Sequence, residues 1–124
     1  MSFFALLDGI LTELDIPFYE GSPEFSDEVP ASFLTYSVYE VPHLFGDGCE
    51  RTTTYHVTLN VFATGADRAT VVDNMTAALT TRLIDNGFLR HGGSYTMTDD
   101  FPGYYRKIVE FSYEYDEFEE EGEI

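Results

Sequence analysis

The chain has 124 residues, 44% of them hydrophobic and 16% aromatic, and carries a formal charge of −17 from 23 acids against six bases. That apolar content excludes a disordered chain, and the length suits one domain that buries roughly two thirds of its unfolded surface. The charge excludes gripping nucleic acid, which needs clustered Lys and Arg to release counterions, and leaves two uses open: a wall past which DNA slides without adhering, and solubility in high salt.

Phe3, Phe4, Leu7, Ile10, Leu11 and Leu14 recur at three- and four-residue spacing, so residues 2–15 read as an amphipathic helix ended by Pro17. The same stretch has no basic n-region and is interrupted by acids, so neither a signal peptide nor a membrane span is expected, and a soluble cytosolic product is. After a loop, "EGSPEFSDEVPAS", the β-branched and aromatic run "FLTYSVYEV" predicts a strand closed by Pro42, and "PHLFGDGCE" reads as a loop with exposed apolar residues. Its single cysteine, Cys49, permits no intrachain disulfide and reads as an inert free thiol.

"RTTTYHVTLNVFA" alternates, with Tyr55, Val57, Leu59, Val61 and Ala63 on a core face and Thr54, His56, Thr58 and Asn60 on a wet one. The period then changes to that of a helix, with Val71, Met75, Ala78, Leu79, Arg82 and Leu83 along one stripe, Asp67 as N-cap and Asn86-Gly87 as stop. A further β region, "FLRHGGSYTMTDD", holds Gly92-Gly93 where a bulge or bend is expected. The last strand sets Tyr105, Lys107, Val109, Phe111, Tyr113 and Tyr115 on one face and Arg106, Ile108, Glu110, Ser112, Glu114 and Asp116 on a polar, mostly acidic other face.

The predicted fold class is α+β, a mostly antiparallel sheet with two helices packed on one face, in a single domain over residues 1–118 followed by an acidic tail over 119–124. Such a sheet leaves its opposite face for water or a partner. Tyr113, Tyr115 and Phe118 extend past what a short helix can cover and are candidate contacts to a neighbouring copy. Acids flanking that strand would restrict which edges approach it.

Sites for chemistry are sparse. His43, His56 and His91 show no HxxxH, HExxH or CxxC spacing, so no metal is expected. There is no GxSxG, Walker loop or GxGxxG, and Asp99-Asp100 with Glu110 and Glu114 are carboxylates expected by number alone in so acidic a chain. The expectation is a protein that is no enzyme and needs no cofactor.

The succession "LLDGILTELDIPFYEG", "FLTYSVYE", "YHVTLNVFA", a helix ending "LIDNGF" and the closing "YYRKIVEFSYEY" resembles the tail terminator, or tail completion, proteins of long-tailed bacteriophages and archaeal tailed viruses. The resemblance spans about residues 6–116 and rests on order, spacing and texture. It implies a virion protein, assembled in the host cytoplasm, that forms a hexameric ring at the head-proximal end of the tail, ends tube polymerisation and presents a docking surface to the capsid neck. The partners implied are other copies of the chain, the tail tube protein and a neck or head-tail connector protein, with the genome passing through the ring and no membrane involved. On this resemblance Glu110, Glu114 and Asp116 are candidates to face the lumen, and Leu44 and Phe45 to meet tail tube or neck. The very low lysine content, Lys107 alone, departs from the family and would suit a halophilic host. The alternatives are another neck or connector subunit, an acidic protein-binding module of a halophile, or a small hydrolase.

Overall fold

In a computed structural model that describes residues 2–21, 29–45, 50–97 and 103–116, the elements are α1 (Phe3–Glu13), β1 (Phe18–Glu20), β2 (Ser32–Phe45), β3 (Glu50–Thr64), α2 (Arg68–Asp85), β4 (Leu89–Met97) and β5 (Tyr104–Asp116). Helix α1 starts where the Ser2 hydroxyl accepts from Ala5 N at 3.1 Å, satisfying one donor that the first turn leaves orphaned. It stops at Glu13, four residues ahead of Pro17, with Asp15 in the left-handed region at φ 56°. Helix α2 has Asp67 at its N-cap position, yet the carboxylate makes no capping hydrogen bond. Its C-terminus closes as expected: Gly87 takes φ 94°, and Phe88 N reaches back to Leu83 O at 3.0 Å.

The strands form one sheet in the order β1-β2-β3-β5-β4, antiparallel throughout except for the parallel β1–β2 pair. Strand β1 was not foreseen, because three residues are too few to show a period. Both helices pack on one face of the sheet, and the core joins Phe3, Leu7, Ile10 and Leu11 of α1 to Val72, Met75, Leu79 and Leu83 of α2. Beneath them lie the odd-numbered residues Tyr55 to Ala63 of β3 with Val109 and Phe111 of β5, as the alternation predicts. In α2 the buried stripe runs through Val72 and Thr76; Val71 is exposed, and Ala78 and Arg82 face solvent. Thr76 can be buried because its hydroxyl donates to Val72 O at 2.8 Å, which removes the cost of an unpaired polar group.

The opposite face is not uniformly wet, contrary to the alternation alone. Phe33, Phe62 and Ile108 are buried there, with Phe33 stacked on Phe62 at 4.6 Å and the Arg106 guanidinium 5.9 Å above the Phe62 ring. Tyr19 and Tyr104 pack edge-on against Phe33, and the Tyr104 hydroxyl donates to Pro30 O at 2.7 Å. This aromatic cluster closes one end of that face and leaves the other end bare.

Two further expectations change. Strand β2 does not end at Pro42 but runs on to Phe45, so Pro42–Phe45 belong to a strand and not to a loop. Strand β5 is interior, paired with β3 along its length and with β4 over Arg106–Ser112, so among the described residues only its two ends, Tyr104–Tyr105 and Tyr113–Asp116, lack a second neighbour. The Gly92-Gly93 irregularity is present as a register shift between His91 and Tyr95.

Candidate functional site on the bare sheet face

Cross-strand pairing decides which side chains meet on the uncovered face. One row across the sheet is Tyr39, His56, Ser112 and Leu89, and the next is Ser37, Thr58, Glu110 and His91. The rows enclose a shallow cleft of about 220 Å³ lined by Tyr39, His56, Thr58, His91 and Glu110. Tyr39 is 62% exposed and stacks on the His56 ring at 4.6 Å; Leu89 is 67% exposed. The His56 and His91 rings stand 6.2 Å apart, centre to centre, and His91 Nε2 shares a short hydrogen bond with the hydroxyl of buried Ser112.

Sequence reasoning missed this grouping. Alternation does put His56 on the outward face, but only the placement of β5 between β3 and β4 brings His91 beside it. Among the described residues, no group of three or more His, Cys, Asp or Glu side chains could hold a metal ion.

Of the residues singled out from sequence, Glu110 and Glu114 are exposed on this face, and Asp116 pairs with Thr52 at the end of β5. Tyr113 and Tyr115 are half-buried. Tyr113 lies 5.8 Å from the Phe3 ring and 4.7 Å from Phe88, and Tyr115 lies 6.4 Å from Tyr55. Helix α1 therefore does reach that end of β5, and only part of each tyrosine is left for a neighbour. Leu44 and Phe45 pair with Arg51 and Glu50 where β2 meets β3. Phe118, Cys49, Asp99, Asp100 and the 119–124 tail lie outside the described residues.

Besides the outer edge of β4, part of the β2 edge is left uncovered among the described residues. Leu34 N donates to Pro17 O at 2.9 Å and Gly21 N to Tyr36 O at 2.8 Å, so even-numbered β2 residues turn their backbone groups toward β1. Because β1 pairs only with Leu34 to Tyr36, the groups of Val38, Glu40, Pro42 and Leu44 point past its end. Pro42 thus sits where its missing N–H costs no ladder bond and removes one donor from the edge.

On the covered side, Tyr36 has its hydroxyl pKa raised above 10.0, first by burial and then by the negative charges of Glu20 and Asp8. A second cavity of about 350 Å³ lies between α2 and the strands, lined by Asp73, Thr76, Thr80, Arg90 and Lys107, with Lys107 Nζ bonded to Asp73 at 3.1 Å. Among the described residues no helix is long and apolar enough to cross a membrane. No protein-family model matches the chain, and no curated protein matches it.

Proposed function

We propose that this protein is a structural virion subunit, a tail terminator that caps the head-proximal end of a tail tube as a hexameric ring. The observation that carries the reading is a sheet covered by helices on one face, with exposed Glu110 and Glu114 on the bare end of the other. In a ring with that face inward, every copy repeats the same carboxylates, and a like-charged wall keeps a passing duplex from adhering. The element order that carries the family resemblance supports it too, with β1 as an added short strand. The role involves no bond made or broken: the ring ends tube growth by shape and charge, and its free side meets the neck.

The test is mass by light scattering at low and at multimolar salt, followed by addition to polymerising tail tubes. Hexamers that shorten the tubes support the reading, and a monomer that leaves tube length unchanged overturns it. A second reading, an acidic protein-binding module, is favoured by exposed Tyr39, Val41 and Leu89 on the bare face. It predicts a monomer at every salt concentration and loss of partner capture on Tyr39→Ser.

A further inference from the structure

We infer that the bare end of the sheet is a docking surface for a basic, arginine-containing segment of a partner protein, an inference that rests on the protein-binding reading above and gives that partner its chemistry. Exposed apolar side chains stand at both ends of one row: Tyr39 on β2, 62% exposed, and Leu89 on β4, 67% exposed. With strands about 4.8 Å apart, three spacings put their backbones about 14 Å from each other. Between them lie His56 and buried Ser112, whose hydroxyl is bonded to His91. The rows on either side each place one carboxylate on β5, Glu110 in the row of Ser37 and Thr58 and Glu114 in the row of Val41 and Thr54. Both are exposed, and so is Val41. None of these three rows holds a Lys or Arg.

Charge decides what covers such a face. A second copy brings a chain of −17 against these carboxylates, and nucleic acid or an anionic membrane brings phosphates, so each is repelled. What fits is a short chain laid across the strands, with apolar contacts to Tyr39, Val41 and Leu89 and positive side chains turned to Glu110 and Glu114. Arginine suits this better than lysine, because its planar group stacks on an aromatic face as well as pairing with a carboxylate. Tyr39 offers that face: His56 stacks on one side of its ring at 4.6 Å, with the planes 14° apart, and leaves the other for a guanidinium. The cleft of about 220 Å³ beside it, bounded by His56, Thr58, His91 and Glu110, gives a second side chain room.

The net charge makes non-specific attraction the main rival, and position separates the two. The full chain is titrated with short peptides of equal length that alternate leucine with arginine, with lysine or with glutamate, followed by NMR and calorimetry. The expected result is saturable binding of the arginine peptide, weaker binding of the lysine peptide and none of the glutamate peptide. Signals of Tyr39, His56, Leu89 and Glu110 move, while those of α2 on the covered face stay put. Tyr39→Ser weakens binding about tenfold and Glu110→Gln about threefold. Asp85→Asn, at the end of α2, removes the same charge as Glu110→Gln and leaves binding unchanged. Shifts spread over the whole surface of the unaltered protein, or equal losses in Glu110→Gln and Asp85→Asn, mean attraction by net charge alone and overturn the site. Binding of the glutamate peptide on the same row overturns the basic partner while keeping a protein-binding face, and self-association lost on Tyr39→Ser overturns it in favour of a second copy. A hexamer that still takes the arginine peptide on this row supports the surface and counts only against the module being a monomer.

Discussion

Phe3 is the residue through which helix α1 holds the end of the sheet where Tyr113 and Tyr115 lie, and its truncation is the sharpest test of the packing. Its ring is 1% exposed, stacks flat on Tyr55 at 4.0 Å, and lies 5.9 Å from Phe88 and 5.8 Å from Tyr113. Burial plus the unfilled cavity puts Phe3→Ala at about 3–5 kcal/mol. Lost ring–ring contacts, about 0.5–1.5 kcal/mol for each good pair, favour the upper part of that range. For a domain whose whole stability is about 5–15 kcal/mol this is a large fraction. Phe4, 48% exposed one position along, is the internal control and should lose about 1 kcal/mol as alanine. Urea unfolding with equal slopes for the three proteins measures both. A cost for Phe3→Ala below about 1.5 kcal/mol, or equal to that of Phe4→Ala, would refute the docking of α1 onto β3 and β5.

Gly87→Ala places a methyl group at φ 94° and 3.4 Å from the Tyr113 ring, so it should cost about 1–2 kcal/mol in urea unfolding; a neutral result would contradict the left-handed helix stop. Pro42→Thr restores an outward N–H on the β2 edge and should raise concentration-dependent association by light scattering while leaving the unfolding midpoint nearly unchanged; unaltered association would remove the edge role given to this proline. Tyr36 keeps its proton more tightly folded than unfolded, so its contribution is complete below its ordinary pKa and is lost as pH rises through 10.0 and toward the raised value. Tyr36→Phe should therefore flatten the alkaline loss of stability between about pH 9 and 11, and parallel curves for both proteins would count against it.

How much was legible depended on whether burial alone dictated the residue. The strict alternation of Tyr55 to Ala63 gave β3 and its core face, because every second side chain there meets the helices. The stripe of α2 held at Met75, Leu79 and Leu83 and was misread beside them, since a threonine that bonds its own backbone can occupy a buried place, and periodicity weighs only apolar residues. Pro42 signalled a strand end because sequence does not say which way a backbone N–H points; the β1 pairing decides that. For the candidate site, exposed Glu110 was identifiable from its strand face. The His56–His91 pair was not, because it depends on strand order across the sheet, which local pattern does not encode.

The distribution of charge gives the ring reading a condition it must meet. Three of the six bases work inside the subunit: Arg82 pairs with Glu13 to join α2 to α1, Lys107 with Asp73 to join β5 to α2, and Arg68 donates to Gly65 O at 3.0 Å. As exposed pairs the two ion bridges contribute at most about 1 kcal/mol each. Their larger consequence is that these cations are engaged within their own subunit, and with 23 acids against six bases copies that associate bring predominantly acidic surfaces together. Cohesion between subunits must then come from apolar contact and backbone edges, with electrostatics opposing it. Repulsion of this kind is screened over about 10 Å at 0.1 M salt and about 3 Å at 1 M. Assembly should therefore strengthen as salt rises, with the oligomer fraction at fixed protein concentration increasing between these two conditions. Oligomers that dissociate on adding salt would mean that opposite charges hold the copies together, which contradicts this account of the charge.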